Sequence, residues 1–238
     1  MKKAIIIGAS SGIGMGLAQL LVKNGYRVGI TGRRADLLEN LRSEQPDNYI
    51  VRIFDVNEIR TIPGHLASLV SQLGGLDLMI ISSGTGEIND TLDFSIEKNT
   101  ISTNVSGFTA IADWGYNYFS QQGHGHLAGI TSVAGLRGNR MAPAYSATKS
   151  YQIIYLEGLR IRSKRSGLPV HITDIRPGFV DTAMAKSEMK FWVSPVRKAS
   201  LQIYKALQRK KGVVYITRRW SMIGFIMKIM PRMIFDKL

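Results

Sequence analysis

The stretch Ala4-Ile5-Ile6-Ile7-Gly8-Ala9-Ser10-Ser11-Gly12-Ile13-Gly14 decides how this chain folds. Ala4 and the three isoleucines form an unbroken apolar run, the pattern of a strand buried on both faces. Gly8, Gly12 and Gly14 follow at once and let the backbone turn tightly. Beyond them Met15, Leu17, Ala18, Leu20, Leu21 and Val22 recur with helical spacing up to Asn24-Gly25, a helix stop. A second strand is predicted over 27–31. Strand, glycine-rich turn, helix and strand in that order make a βαβ unit. The N-terminus of its helix is a ready seat for a pyrophosphate.

The alternation continues outward. Helices are predicted over 35–41, 59–73, 103–119, 144–162 and 201–208, and strands over 49–54, 76–81, 126–131, 170–175 and 213–216. Repeated βα units with short connections predict an α/β fold: a Rossmann-type, doubly wound parallel sheet with helices on both faces, in three layers. No composition shift marks a linker, so 1–238 is read as one dinucleotide-binding domain. Ligands in such folds bind at the carboxyl ends of the strands. Gly8, Arg33, Asp55, Ser82-Ser83-Gly84, Ser132 and Pro177-Gly178 fall at those ends.

Two residues carry acid/base potential. Tyr145 and Lys149 are four apart in a helical region, one turn apart on one face. A phenol titrates near pH 10, too high for proton transfer at neutrality, and a neighbouring ammonium favours the phenolate. On spacing alone such a pair is more often a solvated helix face. Ser132 alone reads as a strand-end turn residue, and Asn104 as a helix cap.

In combination these residues carry a family resemblance. The chain resembles the short-chain dehydrogenase/reductases from about Lys3 to Ile216. Gly8-Ala9-Ser10-Ser11-Gly12-Ile13-Gly14 looks like their cofactor fingerprint, and Asn104, Ser132, Tyr145 and Lys149 match their active-site set. Pro177, Gly178, Val180 and Thr182 resemble the segment that closes over the nicotinamide. Two positions depart from the pattern. Ile81-Ser82-Ser83-Gly84 stands where the family often has Asn-Asn-Ala-Gly, and Ser11 stands where members preferring NADP often carry a basic residue. The resemblance implies hydride transfer between nicotinamide and an alcohol/carbonyl pair. Tyr145 would be the general acid or base, Lys149 would hold the phenol near its working pKa and bond the nicotinamide ribose, and Ser132 would orient the substrate oxygen. Asn104 would hold a water linking Lys149 to solvent. Asp55 and Val56 would line the adenine. A homodimer or homotetramer pairing the helices 103–119 and 144–162 is also implied.

The end of the second strand bears on the choice of cofactor. An acidic residue there would favour NAD, whereas an Arg accommodates a 2′-phosphate. Here Thr31-Gly32-Arg33-Arg34 precedes the first acidic residue, Asp36. The expectation is NADP (NADPH) rather than NAD, with Arg33 the main contact, Arg34 the second and Ser10 nearby.

The formal charge of +14 asks for an anionic partner: a phosphorylated cofactor, an acidic carrier, a membrane surface or nucleic acid. Nucleic acid is not expected, because no motif accompanies the charge. His124-Gly125-His126 lacks a third ligand nearby, so no metal site is expected. With no cysteine, no leader and no run long enough to span a bilayer, the expectation is a cytoplasmic protein. Membrane association through 218–238 is the alternative. That segment contains 220–230, almost wholly apolar, with cations around it. Its apolar faces have three readings: packing on the body or a second subunit, lying flat on a membrane, or forming a wall for a long-chain substrate. Met184, Met189, Phe191 and Trp192, after Thr182, lean towards an apolar or acyl-type carbonyl, and read equally as core. From a different class, a sensor that binds the dinucleotide without turnover is the rival reading.

Overall fold

The computed structural model describes residues 1–183 and 192–235. Met184, Met189, Phe191 and Lys237 lie outside the described residues. The elements are β1 (Lys2–Ile7), α1 (Gly12–Lys23), β2 (Tyr26–Gly32), α2 (Ala35–Glu44), β3 (Tyr49–Ile53), α3 (Ile62–Leu73), β4 (Leu78–Ile81), α4 (Phe94–Ile101), α5 (Phe108–Gln122), β5 (Gly125–Ile130), α6 (Pro143–Ser166), β6 (Val170–Pro177), α7 (Val196–Gln208), β7 (Val213–Ile216), α8 (Arg219–Ile229) and α9 (Arg232–Phe235). All seven strands are parallel, in the order β3-β2-β1-β4-β5-β6-β7.

Alternation along β1 explains the three layers. Ala4 and Ile6 join the core formed with α1, α2 and α7, through Leu17, Leu21, Leu38 and Ile203. Ile5 and Ile7 join the opposite core formed with α3, α5 and α6, through Leu66, Leu69, Phe108, Phe119 and Leu156. The strand order turns back between β1 and β4, which opens a crevice at their carboxyl ends. Gly8 closes one strand there and Ser82-Ser83-Gly84 follows the other.

The largest departure from the sequence reading concerns the helix predicted over 103–119. The helical path begins at Phe94, where the Asp93 carboxylate caps Ser95 N–H at 2.8 Å. It passes through a π-helical segment, Ser102–Gly107, before α5 begins. Asp93 with Glu97 was the available start signal. Phe94 and Ile101 are exposed, so no buried stripe announced the first turns. Similarly, α7 starts at Val196 rather than at 201, and α6 runs on to Ser166.

Candidate active site

The glycine turn works through what a side chain would hit. Gly8 has φ +88°, and a Cβ there would lie 2.7 Å from the Ser83 nitrogen. A Cβ on Gly14 would lie 2.0 Å from the Gly8 carbonyl oxygen, so α1 crosses the turn at backbone contact. Gly8 and Ala9 N–H both donate to the Thr31 carbonyl, at 3.1 and 2.8 Å, which ties the turn to β2. Ser11, at the N-cap of α1, makes no side-chain capping bond, so the N–H groups of Gly12, Ile13 and Gly14 are left to a ligand. Ser83 Oγ is buried with no hydrogen-bond partner among the described residues. A bare helix start, a glycine cradle and an unsatisfied hydroxyl together fit a dinucleotide phosphate.

Cations stand at the end of β2. The Arg34 guanidinium donates to Ser10 Oγ at 2.7 Å and to Ser11 Oγ at 2.6 Å. Arg33 points into solvent, its side chain 68% exposed, and reaches Asp55 at 3.5 Å. Asp55 is fixed in turn by the Asn57 N–H at 2.9 Å. Val56 lies on the π-helical segment, where a Cβ on Gly107 would come within 2.6 Å of its carbonyl oxygen. Opposite, Thr182 folds back over the turn: its Cγ2 is 3.1 Å from the place a Gly12 Cβ would take. Gly178 N–H bonds the Ile216 carbonyl at 2.7 Å, and Val180 is buried in a short bridge to Ser194. The segment 177–182 therefore closes on the glycine turn from the β6 side.

Between these walls stand the four residues singled out from sequence. Ser132 ends the extended chain after β5, and its hydroxyl accepts from Ala134 N–H at 3.1 Å, with the Tyr145 phenol nearby. The turn after it, Val133–Leu136, lies flat on α6 because Gly135 has no side chain; a Cβ would sit 2.6 Å from the Lys149 carbonyl carbon. Gly86 makes the matching space on the other side, where a Cβ would be 2.2 Å from the Tyr145 ring. Lys149 Nζ lies 5.9 Å from that ring's centre.

Lys149 is almost fully buried and donates to the Ile130 carbonyl and to Gln152 Oε1, both at 3.0 Å. Gln152 Nε2 then donates to the Asn104 carbonyl at 2.8 Å. The sequence reading gives Asn104 a water linking Lys149 to solvent; the structure adds a protein link between the two residues, the Gln152 carboxamide. Asn104 sits in the π-helical segment, where the wider turn presents its side chain to the Thr85 backbone: Oδ1 accepts from Thr85 N–H at 2.9 Å and Nδ2 donates to Thr85 O at 2.6 Å. Gln152 was missed because a lone Gln on a long helix carries no signal of its own.

The electrostatics also differ from expectation. Burial raises the Tyr145 phenol above its usual value, and the nearby Ser132 hydroxyl offsets this only in part. The lowering expected from the ammonium does not prevail here. Burial lowers Lys149 to about 8, against the pull of Asp174. Asp174 is fully buried on β6, held by Arg176 at 2.6 Å and Thr131 Oγ1 at 2.6 Å. The site thus presents a protonated phenol and an ammonium that titrates just above neutrality. His126 is a satisfied core residue, bonded to Thr173 Oγ1 at 2.7 Å, and the described residues contain no group of metal ligands.

Comparison with known proteins agrees with this geometry. The family model for short chain dehydrogenase matches residues 2–191. An uncharacterized oxidoreductase of Myxococcus xanthus is 32% identical over 99% of this chain and 95% of its own length. An uncharacterized oxidoreductase of Mycobacterium tuberculosis is 28% identical over 97% of this chain and 94% of its own. Among solved structures, the closed form of serine dehydrogenase complexed with NADP+ superposes with a TM-score of 0.82 at 23% identity, covering 90% of this chain and 94% of that one. ElxO with NADP bound gives 0.80 at 21%, covering 90% and 96%. The chain belongs to the short-chain dehydrogenase/reductase family and is an NAD(P)-dependent oxidoreductase of the CH–OH class.

Proposed function

We propose that this protein is an NADP-dependent reductase of an apolar or acyl-type carbonyl. The observation that carries the reaction is the convergence of Ser132, Tyr145 and Lys149 at one place, with the phenol held protonated and the Lys149 ammonium 5.9 Å from the centre of its ring. The bound nicotinamide would supply the hydride. Tyr145 delivers the proton to the carbonyl oxygen; the phenol is protonated at neutrality, and the Lys149 ammonium acts against the upward push of burial. Ser132 orients that oxygen and stabilises its developing charge. Lys149 supports the phenol electrostatically and bonds the nicotinamide ribose. Asn104 holds the loop at Thr85 and, through Gln152, the ammonium.

The preference for NADP rests on Arg33 and Arg34. Ser11 departs from the basic residue that members preferring NADP often carry, yet Arg34 brings its guanidinium to the Ser11 hydroxyl from the end of β2. Arg33, exposed and held only by one long contact, remains available to a 2′-phosphate. Gly8, Ser10, Ser11, Gly12, Ile13 and Gly14 would cradle the pyrophosphate. Asp55 and Val56 would flank the adenine, and Ser82, Ser83, Gly84, Pro177, Gly178, Val180 and Thr182 the nicotinamide half.

The reading includes a homo-oligomer. The outward side of α6 has a shallow groove of about 640 Å³ lined by Ala147, Tyr151, Ile154 and Arg162, with Tyr151 bonded to Thr109 of α5 at 2.8 Å. Ile154 is 63% exposed there.

The test is turnover of NADPH against a panel of carbonyl compounds, wild type beside Tyr145→Phe. Loss of the general acid should slow reduction by roughly 10²–10⁴-fold. Equal rates would remove Tyr145 from its role. NADPH binding with no turnover on any carbonyl would replace the enzyme by a dinucleotide sensor.

A further inference from the structure

α8 buries Trp220 and Gly224 against the body: the indole packs on Gly178, and the Gly224 backbone lies on Leu136 and Tyr215. The opposite face is just as apolar. Met222, Phe225, Ile226 and Ile229 recur there at helical spacing and are 58, 63, 43 and 62% exposed. Met233 and Ile234 of α9 extend the patch at 81 and 55%. A helix packed on a globular body ordinarily turns a polar face to water. This one turns out its largest apolar side chains, more than scattered surface residues would give.

Charge says what could cover it. Arg218 and Arg219 at the start of α8 and Lys228 in its last turn are exposed beside the patch. From 218 to 235 the sequence contains no acidic residue. A second copy of the same face would set cation against cation, with no carboxylate among the described residues 218–235. An anionic partner with an apolar interior meets both halves of the surface. At 11 residues α8 is too short to cross a bilayer.

We propose that the outward face of α8, continued through Met233 and Ile234, docks on an anionic lipid bilayer. The helix lies flat at the headgroup level, its apolar side chains in the acyl boundary and its cations against lipid phosphates. The inward face of the same helix rests on Leu136, four residues after Ser132, and on Gly178. Docking therefore places at the lipid the helix that backs the Ser132 turn and Gly178. The substrate class this suits is a carbonyl compound dissolved in the bilayer, a step that rests on the reductase reading above.

Sedimentation with vesicles tests the docking without needing turnover, so failure of the reductase reading would leave this result intact. The full chain is mixed with vesicles of phosphatidylcholine, or of phosphatidylcholine and phosphatidylglycerol in equal parts. The expected result is binding to the mixed vesicles at least about tenfold tighter than to phosphatidylcholine alone. Phe225→Glu with Ile229→Glu should weaken that binding by more than about tenfold, with little change in the thermal midpoint, because both residues are mostly exposed. Arg218→Gln with Arg219→Gln should lower it by a similar factor on mixed vesicles only. Two outcomes overturn the proposal: wild type that stays in solution with the mixed vesicles, or a dimer in light scattering that Phe225→Glu with Ile229→Glu dissociates, which would give the face to a second copy.

Discussion

The two walls of the cleft are built in opposite ways. On the β1–β2 side the chain recognises with backbone: glycines at 8, 12 and 14, uncapped N–H groups, and a helix that meets the turn at main-chain contact. On the β5–β6–β7 side it is built from side chains brought from far apart: Gln152 on Asn104, Thr131 on Asp174, Trp220 under Gly178. A backbone wall has little freedom to change, because its shape is the fold itself. A side-chain wall can be rebuilt residue by residue, and that is where members of one family can diverge in substrate.

The comparison breaks most readily at paired glycines. A methyl on Gly14 meets the Gly8 carbonyl, which can retreat only by moving a strand or a helix. Gly14→Ala should cost about 3 kcal/mol of stability and abolish measurable NADPH binding. A methyl on Gly178 meets the Trp220 indole instead. Gly178→Ala should cost less, about 1–2 kcal/mol, with NADPH binding retained. Thermal or denaturant unfolding and cofactor titration read both; equal losses would erase the distinction.

The next test lies where the walls exchange methods, at the side chain that serves the backbone turn. Arg34→Ala removes charge-assisted bonds of about 1.5–3 kcal/mol in kind. NADPH affinity should fall by roughly 10–100-fold while NADH affinity barely changes. Equal losses for both dinucleotides would mean that Arg34 only braces Ser10 and Ser11.

The smallest effect is expected at Gln152, and it is a shift rather than a loss. Lys149 titrates at about 8, so the rate of carbonyl reduction should fall as pH rises through that value and the ammonium is lost. Gln152 Oε1 accepts from the ammonium and favours it. Gln152→Leu should move the alkaline limb of the pH–rate profile to lower pH, and Gln152→Glu should move it higher. A purely structural role would scale the rate at every pH and leave the limb in place.

The same division explains what could be read from the chain before folding. The glycine turn was legible because its requirement is local: positive φ at Gly8 and Gly12 and contact at Gly14 are met within seven residues. Tyr145 and Lys149 were legible because one helical turn relates them. Arg34 on Ser11 spans 23 residues, and Gln152 on Asn104 spans 48, so neither has a local signature. The early start at Phe94 was hidden because its first turns keep apolar residues in solvent. Asp174 and Arg176 sit inside a buried strand, where charge argues against burial until each is seen as the other's partner.

Leu136 touches α8 where Gly224 has no side chain, and Arg137 binds the carbonyls of Met227 and Met230 at that helix's end. The turn that carries Ser132 is therefore clamped between α6 and the last helices of the described chain. Cutting the chain after Thr217 would spare every strand of the sheet yet unclamp the hydroxyl proposed to orient the substrate. Such a shortened protein should still hold its dinucleotide and turn over poorly, a division of labour written into one four-residue turn.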